Sequence, residues 1–173
     1  MQIRTLHTWW GRRSVEDMDD AAVTTRLATP EDAPLLAQLL WDFNTEYDEQ
    51  TPSVATLEQR LRRLLAGDDF WAILAGVPVV AFATLAMRES PYYDGRVAYL
   101  EDLYVEPDMR GAGIGSAIME LLVAEARRQD VALIEIGVDE PDVDAMRFYE
   151  RHGFVHRDPE TGDRAFHIYR ELG

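Results

Sequence analysis

The sequence predicts a mixed α/β domain with about seven strands. Two observations point to this fold. Segments rich in β-branched and aromatic residues alternate with segments of helical period, in the order strand, two helices, three strands, helix, strand, helix, two strands. The stretch from Val97 to Val138 reads strand–helix–strand, and its helix is long enough to return the chain in one right-handed crossover. The sheet should therefore be antiparallel early, parallel around the crossover, and mostly antiparallel in total.

Residues 1–22 read as an N-terminal extension to a domain of residues 23–173. The extension carries Trp9 and Trp10, then Gly-Arg-Arg, then an acidic run from Glu16 to Asp20. Adjacent tryptophans seldom stay in water, so two readings stand: an arm packed on the domain or on a second subunit, or a disordered start. A strand follows through Val23–Leu27. Thr29-Pro30-Glu31-Asp32 is a helix start, with Thr as cap and Pro and acids in the first turn. Leu35, Leu36, Leu39, Leu40, Phe43 and Tyr47 continue at helical spacing. After Thr51-Pro52-Ser53, a second helix carries Leu57, Leu61, Leu64 and Leu65, and Gly67 stops it.

Phe70–Ala75 and Val79–Met87, with Gly76 between them, read as a hairpin. A loop from Glu89 to Arg96 contains Tyr92 and Tyr93, and a strand follows over Val97–Val105. The remaining expectations are a helix from Gly113 to Gln129, a strand over Val131–Val138 and a helix from Val143 to His152. Two short strands, Phe154–His156 and Arg164–Arg170, close the chain across the turn at residues 158–163.

Thirty-two Asp and Glu against 17 Lys and Arg give a formal net charge of -15. Such a surface repels nucleic acid and anionic membranes and attracts cations such as polyamines, aminoglycoside-like sugars or basic peptides. Solubility alone, or adaptation to salt, would account for the same balance. The chain has no cysteine, which excludes disulfides and thiol nucleophiles. Its four histidines lack a paired metal-ligand spacing, so no metal is expected. No apolar run approaches the roughly 20 residues of a membrane span. The start has no signal-type apolar segment, so the expected location is cytoplasmic.

Arg110-Gly111-Ala112-Gly113-Ile114-Gly115-Ser116 opens the helix after the Val97–Val105 strand. The first N–H groups of a helix have no intrahelical partner, and the helix dipole favours an anion there. Glycines let a phosphate approach the backbone, and Arg110 adds charge. A nucleotide-binding Gly-Lys-Ser/Thr loop does not fit, because the lysine is missing. A dinucleotide fingerprint fits poorly, because Ser116 holds the third glycine place. Taken alone, the segment is either a pyrophosphate cradle or a glycine-rich helix entry without a ligand.

Leu100-Glu101-Asp102-Leu103-Tyr104-Val105, Pro107 and the Arg-Gly segment together resemble the GNAT superfamily of N-acetyltransferases. Ala145-Met146-Arg147-Phe148-Tyr149-Glu150-Arg151-His152-Gly153-Phe154 is similar to that family's second signature, and the first motif is nearest to polyamine and diamine acetyltransferases. The resemblance covers about residues 23 to 170. It implies helices on both faces of the sheet, a splayed central strand pair, and acetyl-CoA as cosubstrate. By position, the backbone of Leu103, Tyr104 and Val105 would run beside the pantetheine arm. Arg110, Gly111, Ala112, Gly113, Ile114, Gly115 and Ser116 would hold the pyrophosphate. Asp142 and Ala145 would flank the thiol end, although the family often has Asn at the Asp142 place, and Asp142 or Asp144 would equally serve as a helix cap.

Acetyl transfer to an amine requires loss of an amine proton, stabilisation of the carbonyl oxygen and protonation of the leaving thiolate. Tyr149 occupies the family's general-acid position. Glu101 is the base candidate, or an electrostatic anchor for the amine, and strand alternation puts it with Tyr99, Leu103 and Val105 on one face. A backbone N–H, such as that of Leu103, is the candidate oxyanion donor. In the family's fold, Asp42, Glu46, Asp48 and Glu49 would border the acceptor cleft, either to recognise a cation or simply as solvated acids at a helix end; Tyr92 and Tyr93 would stack on a substrate or cover the sheet. The implied activity is acetylation of a small cationic amine in a ternary complex. A protein or peptide acceptor and a non-catalytic CoA-binding module are the alternatives. Homodimers are common in the family, and the sequence leaves the oligomer open.

Overall fold

In the computed structural model, which describes residues 23–158, 160–164 and 170, the periodic segments resolve into five strands and four α-helices. They run β1 (Thr25–Leu27), α1 (Ala33–Glu46), α2 (Val54–Leu64), β2 (Phe70–Ala75), β3 (Ala81–Arg88), β4 (Arg96–Val105), α3 (Ile114–Arg128), β5 (Val131–Ile136) and α4 (Val143–Arg151). The predicted extension, residues 1–22, lies outside the described residues.

The expected start of α1 is in place but tighter than expected. Thr29 leads a 3-10 turn, Pro30–Asp32, closed by the Ala33 N–H to the Pro30 carbonyl. Pro34 has no N–H to bond Pro30 in the α register, so the first turn closes one residue short. Asp32 fixes this entry. Its carboxylate accepts from the Thr29 N–H at 2.8 Å and takes the Arg26 guanidinium at 2.6 and 2.7 Å. Ser53 caps α2 by accepting from the Thr56 N–H.

The sheet order follows the sequence from β1 to β5. The first three pairings are antiparallel and β4–β5 is parallel, as a crossover through α3 requires. One face packs Ala72, Leu74, Phe82 and Tyr104 against Leu36 and Leu39 of α1 and Leu61 of α2. The other packs Ile73, Ala83, Leu85 and Leu100 beneath Ile114, Ile118 and Leu122 of α3, with Tyr149 of α4. Helices thus cover both faces. This is why β2 reads as an unbroken apolar run and every one of its residues is buried.

The described residues give five of the seven expected strands. Phe154–His156 is not one of them. Gly153, at φ +86°, ends α4, and the Phe154 N–H returns to the Tyr149 carbonyl at 3.0 Å. With the Gly153 N–H on the Glu150 carbonyl, this is a Schellman cap, and the Phe154 ring packs 5.5 Å from that of Tyr149. Closing the helix therefore uses the backbone that a strand would need. Arg157 and Arg164 then form one antiparallel bridge. Residues 165–169 of the other expected strand lie outside the described residues.

Candidate active site

A bulge in β4 organises the site. Ala83 pairs with Leu103 and Thr84 with Asp102, but Leu85 pairs with Leu100, so Glu101 faces no residue of β3. One extra residue resets the period of two. Strict alternation put Leu100 opposite Leu103 and Val105; instead all three belong to the α3-side core, while Tyr104 faces α1. On the other edge, β4–β5 pairing ends at Leu100 and Ile136, and β5 stops there. Among the described residues, Asp102–Val105 is therefore paired with β3 alone, and Glu101 with neither neighbour. The backbone of Leu103, Tyr104 and Val105 runs along this stretch, which β5 leaves unpaired.

At the end of β4, a 3-10 turn over Pro107–Met109 leads into the glycine loop. Gly111 and Gly113 have φ of +81° and +80°, a left-handed conformation that side chains resist. Among the described residues, chain neighbours aside, no atom lies within 4 Å of where a Cβ would stand on either. Gly113 is the N-cap of α3 and brings no side chain to the first turn. The open side of this turn, with its outward N–H groups, fits a pyrophosphate.

Arg110, at the head of that loop, is engaged by neighbouring segments. Its Nε donates to the Val105 carbonyl at 2.9 Å, and its guanidinium lies 5.7 Å from the Tyr104 ring centre. It also donates to both Glu46 carboxylate oxygens. Two residues expected in separate roles, one on the cofactor and one on the amine, are thus partners. Asp42 remains exposed on α1, and its charge, after burial, helps raise the Glu106 carboxyl above its usual range. Tyr92 is almost fully exposed in its loop, away from the packed core.

Gly115 lets α4 come close. A Cβ there would meet the Phe148 ring at 3.3 Å. Next along α4, Tyr149 is buried, with the Phe148 ring at 5.2 Å. Burial, then the charges of Asp142 and Asp102, raise its phenol well above the ordinary value, so it keeps its proton. Asp142 is the cap of α4, accepting the Ala145 N–H at 2.9 Å, so both named flanking residues are tied into one turn. Glu101 is solvent-exposed on one side, yet the surrounding protein desolvates it in part. That desolvation, and then Asp102, hold its carboxyl above the usual range. Asp102 is raised by burial, against the hydrogen bond it accepts from the Thr84 hydroxyl.

Residues 33–154 match the model of the acetyltransferase (GNAT) family. The chain belongs to that family. It is 34% identical over 144 residues to aminoglycoside N(6')-acetyltransferase type 1 of Stenotrophomonas maltophilia, covering 78% of this chain and 87% of that protein. A shorter match, 33% identical over 44% of this chain and 49% of the relative, is to aminoalkylphosphonate N-acetyltransferase of Salmonella typhimurium. Among solved structures, a candidate acetyltransferase from Arthrobacter sp. FB24 superposes with a TM-score of 0.83 at 43% identity, over 90% of this chain and 99% of that one. An aminoglycoside acetyltransferase from an uncultured soil metagenomic sample, in complex with sisomicin, shares the fold, with a TM-score of 0.72 at 20% identity over 87% and 97% of the chains. The two motifs that carried the resemblance, on β4 with the glycine loop and on α4, lie within the matched residues.

Sequence reading passed over Glu106, Phe148 and His152 as site residues. Phe148 and His152 were inside the second signature, and their i, i+4 spacing was a signal that they share a helix face. Glu106, between the Leu100–Val105 run and Pro107, carried no local signal of a role.

Proposed function

We propose that the protein is an acetyl-CoA-dependent N-acetyltransferase acting on a small cationic amine, aminoglycoside- or polyamine-like, in the cytoplasm. The observation that carries this reading is the Glu101 bulge next to the stretch of β4 that β5 leaves unpaired: Asp102, the residue after it, bears electrostatically on both Glu101 and the proton-holding Tyr149. The relative from Stenotrophomonas maltophilia supports the acceptor class by its name.

Acetyl-CoA brings the reactive thioester. The N–H groups of Gly111 to Ser116 bind its pyrophosphate, and the free edge of Leu103–Val105 holds the pantetheine as an added strand would. Asp142 and Ala145 sit at its thiol end as the start of α4. Glu101 takes a proton from the ammonium, directly or through water, or anchors it by charge. The Leu103 N–H faces the carbonyl oxygen as negative charge develops. Tyr149 gives its proton to the departing thiolate. Asp42 draws the cation in, Tyr92 packs on its flank, and Glu46 acts by holding Arg110.

Direct attack in a ternary complex gives intersecting initial-rate lines when both substrates are varied. Parallel lines would show an acetylated enzyme and exclude this mechanism. In a panel of polyamines, aminoglycosides and basic peptides, the small amines should turn over fastest. Preference for a peptide would move the acceptor to the protein class.

A further inference from the structure

His152 and Ser116 are 36 positions apart, yet the imidazole Nε2 stands 3.1 Å from the Ser116 Oγ. Ser116 lies in the first turn of α3, the turn with no capping side chain. His152 is the residue that closes α4. Its ring packs against that of Phe148 at a tilt of 53°, with centres 4.6 Å apart, and Phe148 in turn rests against Gly115. The imidazole is therefore held half-buried between the two signatures, aimed at the one hydroxyl in the first turn of α3.

A serine hydroxyl has one proton to give and two lone pairs to offer. If Nε2 accepts, that proton is spent on the ring and nothing is left for an anion. If Nε2–H donates, the hydroxyl proton is free to turn outward, beside the N–H groups at the start of α3. An anion at that place favours the second arrangement, since only it adds another donor.

We propose that His152 is a positioning residue for coenzyme binding: it donates its Nε2–H to Ser116 and so turns the Ser116 hydroxyl onto a pyrophosphate oxygen. The proposal rests on the acetyl-CoA reading above. It assigns His152 a task in binding and none in the transfer step.

The test uses the full chain as wild type, His152→Phe, His152→Gln, Ser116→Ala and the Ser116→Ala/His152→Phe double variant. Phenylalanine keeps the ring contact with Phe148 and removes the donor; glutamine restores a donor. Calorimetry with acetyl-CoA and steady-state kinetics should show His152→Phe and Ser116→Ala each weakening acetyl-CoA binding roughly tenfold, as for loss of a hydrogen bond to a charged group. The kcat at saturation should stay within about twofold. His152→Gln should recover most of the affinity, and the double variant should be no worse than Ser116→Ala alone. S-acetylpantetheine, which has no pyrophosphate, should be used equally well by all five proteins. Additive losses in the double variant, a fall in kcat at unchanged KM, or an equal defect with S-acetylpantetheine would overturn the proposal. If wild-type protein fails to bind acetyl-CoA, the cofactor reading itself falls and the proposal with it, before any variant is measured.

Discussion

Arg110 grips both carboxylate oxygens of Glu46, at 2.8 and 3.0 Å, and so fastens the end of α1 to the start of the glycine loop. Both bonds come from Nη2, while Nε of the same guanidinium donates to the Val105 carbonyl, at the last residue of β4. Three segments that border the site thus meet on one side chain. Lysine cannot reproduce this fork. Arg110→Lys and Arg110→Met should both raise the KM for acetyl-CoA several-fold. A double-mutant cycle with Glu46→Gln should give a coupling of roughly 0.5–1 kcal/mol, because the pair is partly exposed. Additive effects would mean that the two residues act separately.

Gly115→Ala sets helix propensity against packing. Alanine gains up to about 1 kcal/mol inside a helix. Its Cβ would meet two Phe148 ring atoms at 3.3 and 3.4 Å, and Phe148 is hemmed in by Tyr149 and His152. Overpacking of this kind costs about 1–3 kcal/mol. The variant should therefore lose stability and acetyl-CoA affinity together, and Gly115→Ala/Phe148→Leu should regain affinity. Thermal unfolding and calorimetry on both variants check this.

Much of this arrangement was legible in the sequence, and what was missed has identifiable causes. The order of elements, the parallel crossover and the glycine turn at the start of α3 follow from period and from the need for positive φ at Gly111 and Gly113. The bulge at Glu101 was not legible, because a run of Leu-Glu-Asp-Leu reads as plain alternation until its pairing with β3 is known. Phe154 read as a strand because it is aromatic, but local backbone bonds with Tyr149 and Glu150 claimed that stretch for the helix cap. The Arg110–Glu46 and His152–Ser116 contacts join residues 64 and 36 positions apart, beyond the reach of any local pattern.

Glu101 links activity and stability with opposite signs. Its carboxyl is raised in the folded protein, by desolvation first and Asp102 second. The folded state therefore binds that proton more tightly than the unfolded chain does. The stability this contributes is present at acid pH and lost as pH rises through the raised value. Glu101→Gln should thus melt higher than wild type at neutral pH, with the gain disappearing in acid. The same variant should lose most activity, along with the acid limb of the kcat/KM profile that lies above the usual carboxylate range. Unchanged activity would remove Glu101 as base and as anchor.

Asp32 has the reverse sign and lies far from the chemistry. The Arg26 guanidinium, against a burial penalty, holds its carboxyl down at about 2. That stabilisation is complete above the ordinary carboxylate pKa and is lost as pH falls through the folded value. Asp32→Ala should cost about 1–2 kcal/mol at neutral pH, a drop in Tm of roughly 2–8 °C, with the difference shrinking in acid. Turnover at saturating substrate should be unaffected, which thermal scans at several pH values and one kinetic measurement would establish.

The central claim is tested most directly by amine-dependent thiol release from acetyl-CoA, followed for wild type and Tyr149→Phe with the best cationic acceptor. Wild type should release thiol only when the amine is present. Tyr149→Phe should be slower by roughly a hundredfold or more, the scale of a lost general acid, at nearly unchanged acetyl-CoA affinity. Absence of amine-dependent release by wild type, or full activity in Tyr149→Phe, would contradict the account.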